Sequence, residues 1–209
     1  MADLNIFEAV YASPDAAPWT YTETPVEISD LLKRKMIVQP GRVLEVGCGE
    51  GYNAIFLAQK RFEVKAIDQS QNAIKFAKKN AESNSANVDF QIMDYQQLRD
   101  CQDQFDFIFD WRFFHEITDE QEREDYVRNI SSLLNSGGKY LSVAFSGDSD
   151  FMGNGKLRIS PIGKEIYFAK LDDSRQQIER YLRLVDSKHI IVPQKPDLKI
   201  TANYVLAQK

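Results

Sequence analysis

The stretch Leu44–Ala54, LEVGCGEGYNA, joins a short apolar run to a helix-like one through three glycines and an acidic residue. A strand, a glycine turn and a helix in this order mark the place where an open parallel sheet binds ligands, at the carboxyl ends of its strands. Gly47 and Gly49 permit a ligand to approach the backbone closely, and Gly51 permits close packing of the following helix. The helix start behind the turn favours a carboxylate or phosphate. Short glycine motifs recur by chance, so the flanking sequence has to decide.

Outward from the turn, short β-rich runs alternate with longer helical ones. RVLEV (42–46) reads as a buried strand and NAIFLAQK (53–60) as the helix behind the turn. EVKAID (63–68), VDFQIMD (88–94), FDFIFD (105–110) and KYLSVAF (139–145) read as further strands. Between them lies SQNAIKFAKKNAESN (70–84), a helix with Ser70 as N-cap and Ala73, Ile74, Phe76 and Ala77 inward. A second helix opens on a capping box of Asp119 and Glu122. It carries a stripe of Tyr126, Val127, Ile130, Leu133 and Leu134, and Gly137 ends it. This alternation predicts an α/β fold, a doubly wound and mostly parallel sheet covered on both faces. A polar helix near 172–182 and two strands, HIIV (189–192) and TANYVLA (201–207), close the chain.

Asp68 ends the second strand about 20 residues beyond the turn, the expected place for a carboxylate that accepts from ribose hydroxyls. A nucleoside ligand follows, but not which one. Counted from Gly47, the third small position of a dinucleotide fingerprint holds Tyr52, and the glycine arrives one residue early at Gly51. Glu45 would repel a pyrophosphate and attract a cationic ligand. The spacing therefore leans away from NAD, although an NAD-dependent oxidoreductase shares the fold and the ribose carboxylate. A binding module that catalyses nothing is the other alternative.

Five segments in register resemble the class I S-adenosylmethionine-dependent methyltransferases: VLEVGCGEGYNA, VKAIDQS, VDFQIMDYQQL, FDFIFDWRFFHEI and LLNSGGKYLSVAF. They span Arg42 to Phe145, roughly half the chain. The resemblance implies a seven-stranded sheet whose last strand is antiparallel. It implies a cofactor, S-adenosyl-L-methionine, with S-adenosyl-L-homocysteine as product. Glu45, Gly47 and Gly49 would hold the methionine part, with Cys48 and Asn53 in the same turn, and Asp68 the ribose. Asp94 would meet the adenine amino group, with Ile67, Gln69 and Tyr95 walling the ring. Asp110, ending the fourth strand, would lie near the ammonium and the transferring methyl. Cys48 reads as a packing residue rather than a nucleophile.

The chain has 209 residues, 43% hydrophobic and 27% charged, which suits a single domain with a sizeable core. A net charge of −5 argues against nucleic acid or anionic membrane as partner and for a small-molecule acceptor. Two cysteines, no signal-like start and no membrane-length apolar run suggest a cytoplasmic protein. No metal triad is apparent. No Asn/Asp-Pro-Pro-aromatic run and no Pro-Cys pair follows the fourth strand, which argues against methylation of nucleic-acid bases. His115 is the only histidine near the expected site, a candidate base or a packing residue; His189 reads as structural. Trp19, Tyr21, Trp111 and Phe151 offer an aromatic surround for the acceptor, and Arg112 and Arg158 are candidates to hold an anionic group, with a solvated loop charge the favoured reading of Arg158. Residues 1–38 are expected to form a cap and helix, and the glycine-rich stretch 146–168 a substrate lid.

Overall fold

The computed structural model describes residues 2–12, 17–195 and 198–209. Two short helices, α1 (Ala2–Val10) and α2 (Val26–Lys33), precede the alternating core. The core runs β1 (Arg42–Val46), α3 (Tyr52–Gln59), β2 (Glu63–Asp68), α4 (Gln71–Ser83) and β3 (Asp89–Ile92). It continues with β4 (Phe105–Trp111), α5 (Glu120–Leu133) and β5 (Leu134–Phe145). After β5 come β6 (Leu157–Ile159), β7 (Glu165–Tyr167), α6 (Leu171–Glu179), β8 (Arg183–Lys195) and β9 (Leu198–Gln208). No helix among the described residues is long and apolar enough to cross a membrane.

Seven strands form one sheet in the order β3-β2-β1-β4-β5-β9-β8. Strands β1 to β5 pair in parallel, and β9 runs antiparallel between β5 and β8. The last strand of the chain is thus the antiparallel one, as expected. The chain leaves β1 toward β2 and β3, then returns to β4 on the other side. That reversal opens a crevice at the carboxyl ends of β1 and β4.

Alternation along the strands assigns each face. Val43 of β1 and Phe107, Phe109 and Trp111 of β4 join the core beneath α2, α3 and α4. Leu44 and Ile108 join the opposite core, with Tyr126, Val127 and Ile130 of α5. Ser70 caps α4 by accepting from the Ala73 N–H, and Asp119 caps α5 by accepting from Gln121 and Glu122. The reciprocal half of the expected capping box is missing. Glu122 turns instead to the Tyr95 hydroxyl and the Gln96 amide. The α5 stripe is buried as read, whereas the helix ends at Leu133, before Gly137. Phe76 is only half-buried and packs on the N-terminal cap beside Tyr11 and Ala17.

The region read as an irregular lid contains structure of its own. β6 and β7 form a two-stranded antiparallel hairpin. Arg158 on β6 is buried and donates to the carbonyls of Gly147, Ser149, Phe151 and Gly155, gathering the glycine-rich loop around its guanidinium. The plane of that group also lies over Phe168.

Candidate active site

A cleft of about 600 Å³ opens above the carboxyl ends of β1, β2, β4 and β5. This is within the range of about 300–1,000 Å³ usual for small-molecule sites. Its floor is the glycine turn. Gly47, Gly49 and Gly51 all have positive φ, at 71°, 53° and 79°. Gly51 shows why: a Cβ there would lie 2.6 Å from the Phe90 ring and 3.0 Å from Ala77 on α4. Helix α3 can only seat against its neighbours with nothing at that point.

Two carboxylates flank the turn. Glu45 is 2% exposed at the end of β1, where one oxygen accepts from Asn53 Nδ2 at 2.9 Å. Its other oxygen, Oε2, is buried with no hydrogen-bond partner among the described residues. Burial raises this carboxyl to about 8, against the lowering pull of Asn53 and the Ala54 amide. An orphaned carboxylate oxygen facing a cleft fits a ligand ammonium. Asp68 at the end of β2 accepts from Gly49 N and Ser70 N, both at 2.9 Å. Each oxygen keeps a second lone pair for a ligand hydroxyl. Burial raises its pKa, with the two amides opposing.

Beyond Asp68, Asp94 lines the cleft as N-cap of the 3₁₀ turn Tyr95–Asp100; its Oδ1 accepts from Gln96 N. Tyr95 packs edge-on against Phe113 at 5.7 Å, and its hydroxyl donates to Glu122 at 2.8 Å. Ile67, Gln69, Cys48 and Asn53 also line the cleft. Cys48 is buried, and burial pushes its thiol up, which suits packing rather than nucleophilic chemistry.

Asp110 is elsewhere. It is fully buried on the opposite face of the sheet, accepting from Tyr126, Tyr140, Ser142 and the Phe114 amide. The alternation of β4 decides this: Trp111 points to the cleft side, so its neighbour must point away. The expectation that Asp110 meets the cofactor or the methyl is corrected accordingly. Arg158 is the second correction, because its guanidinium is committed to four main-chain carbonyls and does not reach the cleft.

His115 lines the cleft, 2% exposed and stacked on Phe145 with ring centres 4.1 Å apart. Its Nδ1 accepts from the Phe145 amide at 3.3 Å, so Nε2 carries the proton toward Glu116 Oε1, 3.4 Å away. Burial lowers its pKa. In this arrangement the ring's lone pair is engaged by the Phe145 amide and its face forms part of the cleft wall. His189 stands apart on β8 and contacts Asp148 Oδ2 at 3.0 Å, tying the start of the long loop to the sheet.

Trp19, Tyr21, Trp111, Arg112, Phe151 and Met152 line the remaining cleft. Tyr21 stacks on Trp111 at 5.4 Å, and Arg112 lies over both Trp111 and Phe145. Burial lowers the Arg112 guanidinium to about 10, still a cation at neutral pH. Several lining residues escaped the sequence reading, among them Phe7, Tyr11, Glu116 and Lys164. Phe7 and Tyr11 come from α1 and its end, Glu116 from the 3₁₀ turn Phe114–Glu116, and Lys164 from the β6–β7 turn. Tyr11 accepts from Trp19 Nε1 at 2.8 Å and sits over Gly49. Lys164 donates to Glu116 Oε2 at 2.7 Å.

A family model described as a methyltransferase domain matches residues 43–138. An uncharacterized methyltransferase of Schizosaccharomyces pombe is 32% identical over 114 residues, 53% of this chain and 78% of that one. The 2-heptyl-1-hydroxyquinolin-4(1H)-one methyltransferase of Mycobacteroides abscessus is 30% identical over 129 residues, 61% of this chain and 56% of its own length. The chain spans about half the length of the first curated relatives it matches, 56% and 44% for two of them. Among solved structures, one concerned with conversion of a disulfide bond into a thioacetal group during echinomycin biosynthesis superposes with a TM-score of 0.80. It is 20% identical, with 99% of this chain and 92% of that chain covered, and so supports the fold. By motif, sheet order and relatives, the chain belongs to the class I S-adenosylmethionine-dependent methyltransferases.

Proposed function

We propose that the protein transfers a methyl group to a small-molecule acceptor. The observation that carries this is Glu45 Oε2, a buried carboxylate oxygen without a partner among the described residues, at the floor of a cleft that Asp68 lines from the neighbouring strand. When bound, S-adenosylmethionine supplies an electrophilic methyl on a sulfonium. Glu45 would receive its ammonium, Asp68 its ribose hydroxyls and Asp94 its adenine amino group, with Ile67, Gln69 and Tyr95 around the ring. Trp19, Tyr21, Trp111 and Phe151 would exclude water and hold the acceptor in line, the chief requirement of a transfer that disperses charge.

A small acceptor is supported by the aromatic lining and by the Mycobacteroides relative, whose substrate is a hydroxyquinolone. The acidic balance of the chain supports a reading without nucleic acid or membrane as partner. Both cysteines are free, in keeping with a cytoplasmic setting. Residues 146–168 would act as the lid on the acceptor side.

Calorimetry tests the cofactor site. S-adenosylhomocysteine is expected to bind and NAD to bind far more weakly. Asp68→Ala removes charge-assisted hydrogen bonds of about 1.5–3 kcal/mol, so affinity falls about tenfold or more in a folded protein. Tight NAD binding with no response to S-adenosylhomocysteine overturns the assignment. Label from methyl-labelled cofactor is expected in a member of a small-metabolite panel; cofactor binding with no transfer to any acceptor points to the binding module instead.

A further inference from the structure

We propose that Lys164, seated on Glu116, recognises an ionised hydroxyl on a flat aromatic acceptor, so that the substrate class is an acidic phenol- or enol-type molecule. The inference rests on the methyl-transfer reading above. Along the sheet, Asp94, Asp68 and Glu45 follow β3, β2 and β1 in turn. A nucleoside held by them leaves the space above β4 and β5 for the acceptor. Lys164 and Glu116 stand there.

Lys164 is 7% exposed, and its Nζ donates to Glu116 Oε2 at 2.7 Å and to the Glu116 carbonyl at 3.3 Å. The ammonium also lies 4.7 Å from the centre of the Phe7 ring on α1. Glu116 Oε1 faces His115 Nε2. Burial pushes the Glu116 carboxyl up, but His115 and Lys164 outweigh it and hold it below the usual range, as a carboxylate. Burying such a pair costs desolvation that two apolar side chains would avoid, so stability alone does not account for it. Its position on a cleft wall does, if a ligand completes it.

The surroundings define that ligand. Among the described residues, this end of the cleft is lined by the cations Arg112 and Lys164 with the carboxylate Glu116, while the other end holds Glu45, Asp68 and Asp94. The walls are flat: Tyr21 on Trp111 at an interplanar angle of 28°, and His115 on Phe145 at 12°. An anion on a planar ring matches both features. The state of His115 agrees, since its lone pair is engaged by the Phe145 amide, and the Glu116 carboxylate beside Lys164 is already taken up by Lys164 and His115. An acceptor that sheds its proton to solvent before binding needs no base. Its oxygen forms one C–O bond as the C–S bond breaks with its pair on sulfur, and Lys164 stays cationic throughout.

The test uses the full chain loaded with S-adenosylhomocysteine and two matched probe pairs: 4-nitrophenol with 4-nitroaniline, and 7-hydroxy-4-methylcoumarin with 7-amino-4-methylcoumarin. Absorbance reads the ionisation of each bound phenol. At least one phenol is expected to bind about tenfold tighter than its amine, and as the phenolate, with its apparent pKa lowered by about one unit. Lys164→Met is expected to abolish that preference while S-adenosylhomocysteine affinity holds within about twofold, and Lys164→Arg to keep it. Glu116→Gln removes a competing negative charge and is expected to tighten phenolate binding. A purely structural pair predicts the opposite, with Lys164→Met and Glu116→Gln both weakening every probe alike. The proposal is overturned if neither phenol is preferred to its amine, or if the preference survives Lys164→Met. Failure of S-adenosylhomocysteine to bind removes the methyl-transfer reading as well; binding without phenol preference removes the acceptor class alone.

Discussion

Glu45 is where a single residue ties the sequence to a measurable property of the site. A carboxyl raised to about 8 is mostly protonated in the free protein at pH 7, because burial disfavours its charge. A ligand ammonium reverses that preference, so cofactor binding is expected to release close to one proton. Affinity then rises with pH, by about tenfold per unit between pH 6 and 7.5, and levels off above the free pKa. Calorimetry in buffers of different ionisation enthalpy reads the proton, and titrations across pH read the slope. Glu45→Gln is expected to flatten the slope and weaken binding. A pH-independent affinity in the wild type means that Oε2 does not meet the ammonium. The same raised pKa bears on stability without ligand. The carboxyl's protonated form is favoured by folding, so its contribution is complete below the unfolded value of about 4.5 and lost as pH rises through 8.

Strand β4 works on both faces at once, and its alternation separates function from support. Trp111 lines the cleft, while Asp110 behind it gathers three hydroxyls and an amide. Burial raises Asp110 to about 6, with its donors opposing. Asp110→Ala strands Tyr126, Tyr140 and Ser142 without their shared acceptor, and is expected to cost about 2–4 kcal/mol in chemical denaturation. S-adenosylhomocysteine affinity is expected to stay within about twofold, because the residue does not reach the cleft. A large loss of affinity in a stable variant would return Asp110 to the site. The period of two that places Asp110 is present in FDFIFDW, where Ile108 and Asp110 alternate with Phe107, Phe109 and Trp111. The family likeness implies the cleft for Asp110, against that period. The parallel strands and the α5 stripe were legible because each carries its own period. The β6–β7 hairpin was not, since three-residue strands such as Leu157–Ile159 in a glycine- and serine-rich stretch carry none. The Lys164–Glu116 pair spans 48 residues and exists only once the hairpin has folded back against the 3₁₀ turn Phe114–Glu116.

At the scale of the whole molecule, the N-terminal segment covers the turn without belonging to the sheet. Glu8 accepts from Ser70 Oγ and Asn72 N at the start of α4, Trp19 donates to Tyr11 above Gly49, and Thr20 donates to Glu50 at 2.6 Å. Arg112 reaches back to the Trp19 carbonyl. These contacts lie around the cleft, whereas the two cores beneath the helices are built mainly from residue 28 onward. Deleting residues 1–24 is therefore expected to leave the sheet folded and the cofactor less well covered, with dissociation about tenfold faster. Thermal shifts make this visible. At a concentration 100 times the Kd, S-adenosylhomocysteine stabilises the full chain by about 2.7 kcal/mol, or roughly 5–10 °C for a chain of this size. At that same concentration, a tenfold weaker deletion variant gains only about 1.4 kcal/mol, roughly half the shift. Far-ultraviolet circular dichroism checks that the variant keeps its fold. If its thermal gain equals that of the full chain, α1 and the aromatic segment behind it are ornament to the cleft, and the carboxylates of β1 and β2 hold the cofactor unaided.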